Sequence, residues 1–137
     1  MNKNPEDNNI KKYIEPAKDV LADFKKIDYA FVFGSSLKKA LPESDMDILI
    51  GGTLSFSEKA DLAAELELIL KRKVDLVLAE EAAPALVAKA FSTGLPLLIN
   101  NKESLKKDYF KNLYRYDDGR NLRNLRIARI KRRYGYG

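Results

Sequence analysis

A chain of 137 residues and 15.5 kDa, 45% of it hydrophobic, has the size of one compact domain built on one core. It contains no cysteine and no histidine, which excludes disulfides, zinc-thiolate and histidine-ligated metal sites, thiolate nucleophiles and histidine-based triads; carboxylates, hydroxyls, lysine, arginine, backbone groups and hard cations such as magnesium remain. Twenty-five Lys and Arg against 20 Asp and Glu give a formal charge of +5, and most of the excess is terminal: no acidic residue follows Asp118, while Arg120, Arg123, Arg126, Arg129, Lys131, Arg132 and Arg133 crowd the end. No apolar run reaches the roughly eighteen residues that a membrane span requires, and Met1 to Asn9 is polar, so a soluble cytoplasmic protein is expected.

In chain order, Ile10, Tyr13, Ile14, Ala17, Val20, Leu21 and Phe24 recur at three-and-four spacing and predict an amphipathic helix. Pro16 lies within it, so either the helix kinks there or a turn precedes a helix that starts at Pro16. Ile27 to Phe33 reads as a buried strand stopped by Gly34-Ser35-Ser36, and Leu37 to Leu41 as a short helical piece ended by Pro42. Asp45 to Ile50 is a second strand. Ser55 followed by Glu58 has the spacing of a capping box and opens a helix with Leu62, Leu66, Ile69 and Leu70 on one face. Lys73 to Ala79 is a third strand, Pro84 to Gly94 a helix with proline in and glycine out, Leu95 to Ile99 a short edge strand, and Glu103 to about Tyr116 a further helix. The alternation predicts an α/β (α+β) fold, a small mixed sheet with helices packed mainly on one face.

Three places carry chemistry. Glycine directly after a buried strand, at the start of a helix, lets a phosphate approach the free amides, with Ser35 or Ser36 adding a hydroxyl and Lys38 and Lys39 adding charge; an ordinary serine cap has the same sequence. Asp45 and Asp47, two apart on a strand, present both carboxylates to one side. Magnesium relieves their repulsion, since it needs only one or two carboxylates when a substrate phosphate completes its shell; a solvated strand edge is the other reading. Asp75 interrupts the apolar Val74-Asp75-Leu76. It is salt-bridged to Arg72 or Lys73, solvated, or a third ligand in a two-metal site for phosphoryl transfer, the reading that best suits the aspartate pair.

Gly34-Ser35, nine intervening residues, Asp45-Met46-Asp47, and Asp75 within Lys73-Val74-Asp75-Leu76-Val77 together resemble the polymerase-beta-like nucleotidyltransferase superfamily, in particular its minimal nucleotidyltransferase (MNT) antitoxin branch. Val77-Leu78, Pro84, Leu86 and Gly94-Leu95-Pro96-Leu97-Leu98-Ile99, followed by a tyrosine-rich helix, extend the likeness to about residue 118. Lys38-Lys39 stand where adenylylating members of that branch usually have an Arg-Gly. The resemblance implies the polymerase-beta-like fold over residues 1–118, with 119–137 as a basic tail or helix extension. It also implies transfer of AMP from ATP, with two magnesium ions, to a tyrosine of a HEPN ribonuclease toxin that is thereby silenced. Carried onto this chain, Gly34, Ser35, Ser36 and Lys38 would hold the triphosphate, Asp45 and Asp47 both metals, and Asp75 the metal beside the acceptor hydroxyl.

Two alternatives stand beside this reading: an antitoxin that masks its toxin without chemistry, and a nucleotidyltransferase acting on a small molecule or an RNA end. The arginines of the tail recur every three residues and drift around a helix, so the tail is either solvated or docks on an acidic toxin surface or on RNA. Tyr109, Tyr114 and Tyr116 are expected in the core or at a partner interface.

Overall fold

A computed structural model describes residues 5–34 and 45–117, with side chains over 10–34 and 45–112. The expected short helix at 37–41 and the tail from 118 lie outside the described residues. The described elements are α1 (Pro5–Ala22), β1 (Tyr29–Phe33), β2 (Met46–Gly51), α2 (Phe56–Leu70), β3 (Val74–Leu78), α3 (Pro84–Thr93), β4 (Leu95–Ile99) and α4 (Lys102–Asp117). The strands form one mixed sheet in the order β3-β2-β1-β4. β1 is antiparallel to both neighbours and β2 is parallel to β3, so α2 is the crossover that a parallel pair requires.

α1 is one helix that passes through Pro16, which settles the choice left by the sequence. Burial of Ile10, Ala17 and Leu21 holds it on both sides of the proline against the loss of a helical hydrogen bond. At the start of α2 the capping box is complete: the Glu58 N–H donates to Ser55 Oγ at 3.1 Å and the Ser55 N–H to Glu58 Oε1 at 2.8 Å. Leu62, Leu66 and Leu70 are buried, but Ile69 is 53% exposed, so the inward face is narrower than the periodicity suggested. α3 starts on Pro84 and stops at Gly94 as expected, and β4 is an edge strand.

The helices cover both faces of the sheet, which corrects the expectation of packing mainly on one. Ala30, Val32, Met46, Ile48, Ile50, Val74, Leu76 and Leu78 face α1 and α2. Tyr29, Phe31, Phe33 and Leu49 face α3 and α4 through Val87, Phe91, Leu105 and Tyr109. The signal was in β1, whose five residues are all apolar; a strand with one solvated face alternates, and one buried on both does not. Edge-to-face rings join the second layer, Phe31 to Phe91 at 5.3 Å and Phe91 to Tyr109 at 5.5 Å between centroids. Tyr109 is therefore a core residue, as expected. No described helix is long and apolar enough to cross a membrane.

A part-buried hydrogen bond ties α4 to the sheet. The Tyr29 hydroxyl, with its ring fully buried, donates to Asp108 Oδ2 at 2.7 Å. Burial, then the Asp108 carboxylate, push the phenol well above its ordinary pKa, so it remains a donor. The ring lies where a β-carbon on Gly51 would stand, which is why β2 ends on glycine. Tyr29→Phe keeps the ring and strands the part-buried Asp108 oxygen. It should cost about 1.5–3 kcal/mol, read from urea unfolding at neutral pH.

Candidate active site

The register across three strands builds the site. Phe33 on β1 pairs with Asp47 on β2, and Asp47 with Asp75 on β3, so one row holds an aromatic residue and two carboxylates on neighbouring strands. Met46 and Ile48, either side of Asp47, are 2% and 0% exposed on the face toward α1 and α2; strand alternation therefore turns Asp47 to the other face. Asp75 takes that face too, between buried Val74 and Leu76. Asp47 is half-buried, while Asp45, just before β2, and Asp75 are exposed.

Gly34 closes β1 with φ +89°, a conformation that favours glycine. A β-carbon there would come within 2.5 Å of Asp47 Oδ2, so the carboxylate leans over the backbone of the turn. The turn residues Ser35, Ser36 and Lys38 lie outside the described residues. Of the expected site residues, the structure brings together Gly34, Asp47 and Asp75, with Asp45 close enough to act on Asp47 electrostatically.

The pKa of Asp47 is raised, first by burial, then by the charge of Asp75, then by that of Asp45. Neither of the salt bridges suggested for Asp75 forms: Arg72 lies on the opposite side, 4.9 Å from the Tyr13 ring centroid, and no ion pair of Asp75 with Lys73 occurs among the described residues. No three acidic groups among the described residues are gathered tightly enough to hold a metal ion by themselves. One or two of these carboxylates could hold a hard cation such as magnesium if ligand oxygens completed its shell.

Glu67 was missed in the sequence. Its Oε2 accepts the Val74 N–H at 3.0 Å, while its carbonyl accepts the N–H of Lys71, whose left-handed backbone (φ 56°) turns α2 into β3. Both bonds hold the strand start from which Asp75 projects. The available signal was an acidic residue in the last turn of a helix, where the dipole disfavours it.

The raised pKa of Asp47 fixes a sign. A carboxyl that titrates higher in the folded than in the unfolded chain destabilises the fold once ionised; the penalty is full above its folded pKa and gone below the ordinary aspartate value. Asp47→Asn should therefore melt above the wild type at pH 7 without divalent cation. The difference should close as pH falls from the raised folded value of Asp47 to the ordinary aspartate value, measured by thermal scans across pH.

The family model described as "Polymerase beta, Nucleotidyltransferase" matches residues 15–103, which span α1 to the start of α4 and include Gly34, Asp45, Asp47 and Asp75. No curated protein matches significantly. Among solved structures, a chain from a crystal structure of a toxin-antitoxin with AMP-PNP is similar with a TM-score of 0.65 and 25% identity, covering 85% of this chain and 94% of that one. A chain from the toxin-antitoxin MntA-HepT gives 0.64 and 23%, covering 88% and 96%. A chain from tri-AMPylated Shewanella oneidensis HEPN toxin in complex with MNT antitoxin gives 0.59 and 25%, covering 92% and 96%. With the family match running over most of the described fold and all four of these residues, the chain belongs to the polymerase beta nucleotidyltransferase family.

Proposed function

We propose that this nucleotidyltransferase transfers AMP from ATP to a tyrosine hydroxyl of a HEPN-type toxin with which it forms a hetero-oligomer in the cytoplasm, and so acts as its antitoxin. The observation that carries the reading is the opposed pair Asp47 and Asp75 beside a turn whose Gly34, at φ +89°, lies directly under the Asp47 carboxylate. Two neighbours at 25% identity support the chemistry, one solved with AMP-PNP and one with a tri-AMPylated HEPN toxin.

In this reading Gly34, with Ser35, Ser36 and Lys38, takes the triphosphate. Asp45 and Asp47 hold two magnesium ions, and Asp75 serves the one on the acceptor side. Bound magnesium would neutralise charge on the triphosphate and on the developing phenolate of the acceptor. The acceptor hydroxyl oxygen bonds to the α-phosphorus, the bond from that phosphorus to the bridging oxygen breaks, and pyrophosphate leaves. The hydroxyl proton passes to Asp75, a solvated carboxylate that returns it to water. Asp47, half-buried and repelled by both neighbours, gains most from a cation.

The test is incubation with ATP, magnesium and the HEPN partner, read by intact mass of the partner. Stepwise gain of AMP is expected. Asp45→Asn and Asp47→Asn should each lower the rate by at least about a hundredfold, the size of a lost electrostatic stabiliser in a transition state. The double variant should lose binding of AMP-PNP in magnesium by calorimetry. An unmodified partner with the wild type would return the protein to a masking antitoxin, and labelling of RNA ends instead would move the acceptor to nucleic acid.

A further inference from the structure

Lys73 is the cation nearest in sequence to Asp75, and the proposed transfer gives it no role. Its carbonyl accepts the Met46 N–H at 2.9 Å, so its backbone is locked into the sheet beside Asp45 although it precedes β3. Arg72 and Val74, either side of it, are buried at 6% and 9% toward α1 and α2. Alternation therefore gives exposed Lys73 the same face as Asp75. It makes no ion pair among the described residues despite the carboxylates of Asp45 and Asp75 beside it. β3 is an edge strand, and β2 separates it from the Gly34 turn on β1, about 10 Å at ordinary strand spacing. A cation in that place lies across the carboxylates from the turn assigned to the triphosphate.

We infer that Lys73 binds an oxyanion carried by the acceptor. This rests on the proposed AMP transfer, and it adds a substrate-binding residue to it. Two acceptors supply such a group: a partner polypeptide with a carboxylate near its hydroxyl, or a partner already carrying AMP, whose phosphodiester lies one nucleotide behind the next attacking hydroxyl. A lysine suits either as a mobile point charge that needs no fixed geometry.

The experiment compares wild type, Lys73→Ala and Lys73→Arg in three measurements: calorimetric affinity for AMP-PNP in magnesium, affinity for diadenylate added to that complex, and rates of first and later AMP additions to the HEPN partner. AMP-PNP affinity should be unchanged in all three proteins. Loss of a charge-assisted contact in Lys73→Ala should cost about tenfold, and Lys73→Arg should restore most of it. If the oxyanion is the phosphodiester, diadenylate affinity and the later additions fall while the first addition holds. If it is a partner carboxylate, the first addition falls and diadenylate affinity holds. Unchanged diadenylate affinity together with unchanged rates overturns the inference, as does a tenfold loss of AMP-PNP affinity, which would put Lys73 on the triphosphate. A wild type that binds no AMP-PNP and modifies no partner overturns the proposed function itself, a result separate from any difference among the variants.

Discussion

Two ionised carboxylates opposite each other on adjacent strands repel, and the pairing of Asp47 with Asp75 must be held by something larger. Holding it is the other face of the same strands. Met46, Ile48, Val74 and Leu76 are all buried against α1 and α2, and a full burial of such a side chain is worth about 1.5–3 kcal/mol. Slipping either strand by one residue would relieve the charges but turn its whole apolar set to the opposite face. Like-charge repulsion across a partly solvated strand pair is on the order of 1 kcal/mol, so the core wins the register and the carboxylates accept the position it imposes.

The second layer limits where that repulsion is felt. α3 and α4 cover the far part of the same face through Phe91, Leu105 and Tyr109, and the Tyr29 to Asp108 hydrogen bond anchors α4 over the start of β1. Asp75 and Asp45 stay exposed at the other end. The cover buries Tyr29, Phe31 and Phe33 of β1 and Leu49 of β2 while leaving Asp47 half-buried and Asp75 and Asp45 exposed, so one face is both core and candidate site.

Most of this was legible because it is written in short-range pattern. Alternation around Asp47, the Ser55 and Glu58 spacing, and the Pro84 and Gly94 boundaries each follow from geometry within a few residues, and all came out as read. Three features were not. That Asp47 meets Asp75 directly depends on the parallel register of β2 and β3, which no local period encodes. Helix cover on both faces left its signal only in the unbroken apolar run of β1, and it was masked in β2 and β3, where Asp47 and Asp75 break the pattern of a doubly buried strand. The role of Glu67 arises from a tertiary contact with the Val74 N–H, and its sequence position alone argues only that it is costly there.

Among the three aspartates the electrostatic strain is unequal, and the inequality has a consequence. Asp47 occupies the middle strand of the row, is the most buried, and feels both other charges; its raised pKa is the measure of that. Asp45 and Asp75 flank it from exposed positions, where water screens them. Any ligand that brings positive charge to the row therefore stabilises the fold chiefly through Asp47, since a species bound by the native state alone adds its binding free energy to stability. The penalty that the core imposes on Asp47 in the free protein is thus returned on cation binding. In the proposed reading, part of the affinity for a divalent cation and nucleotide would be stored in advance in the register that Met46 and Ile48 enforce.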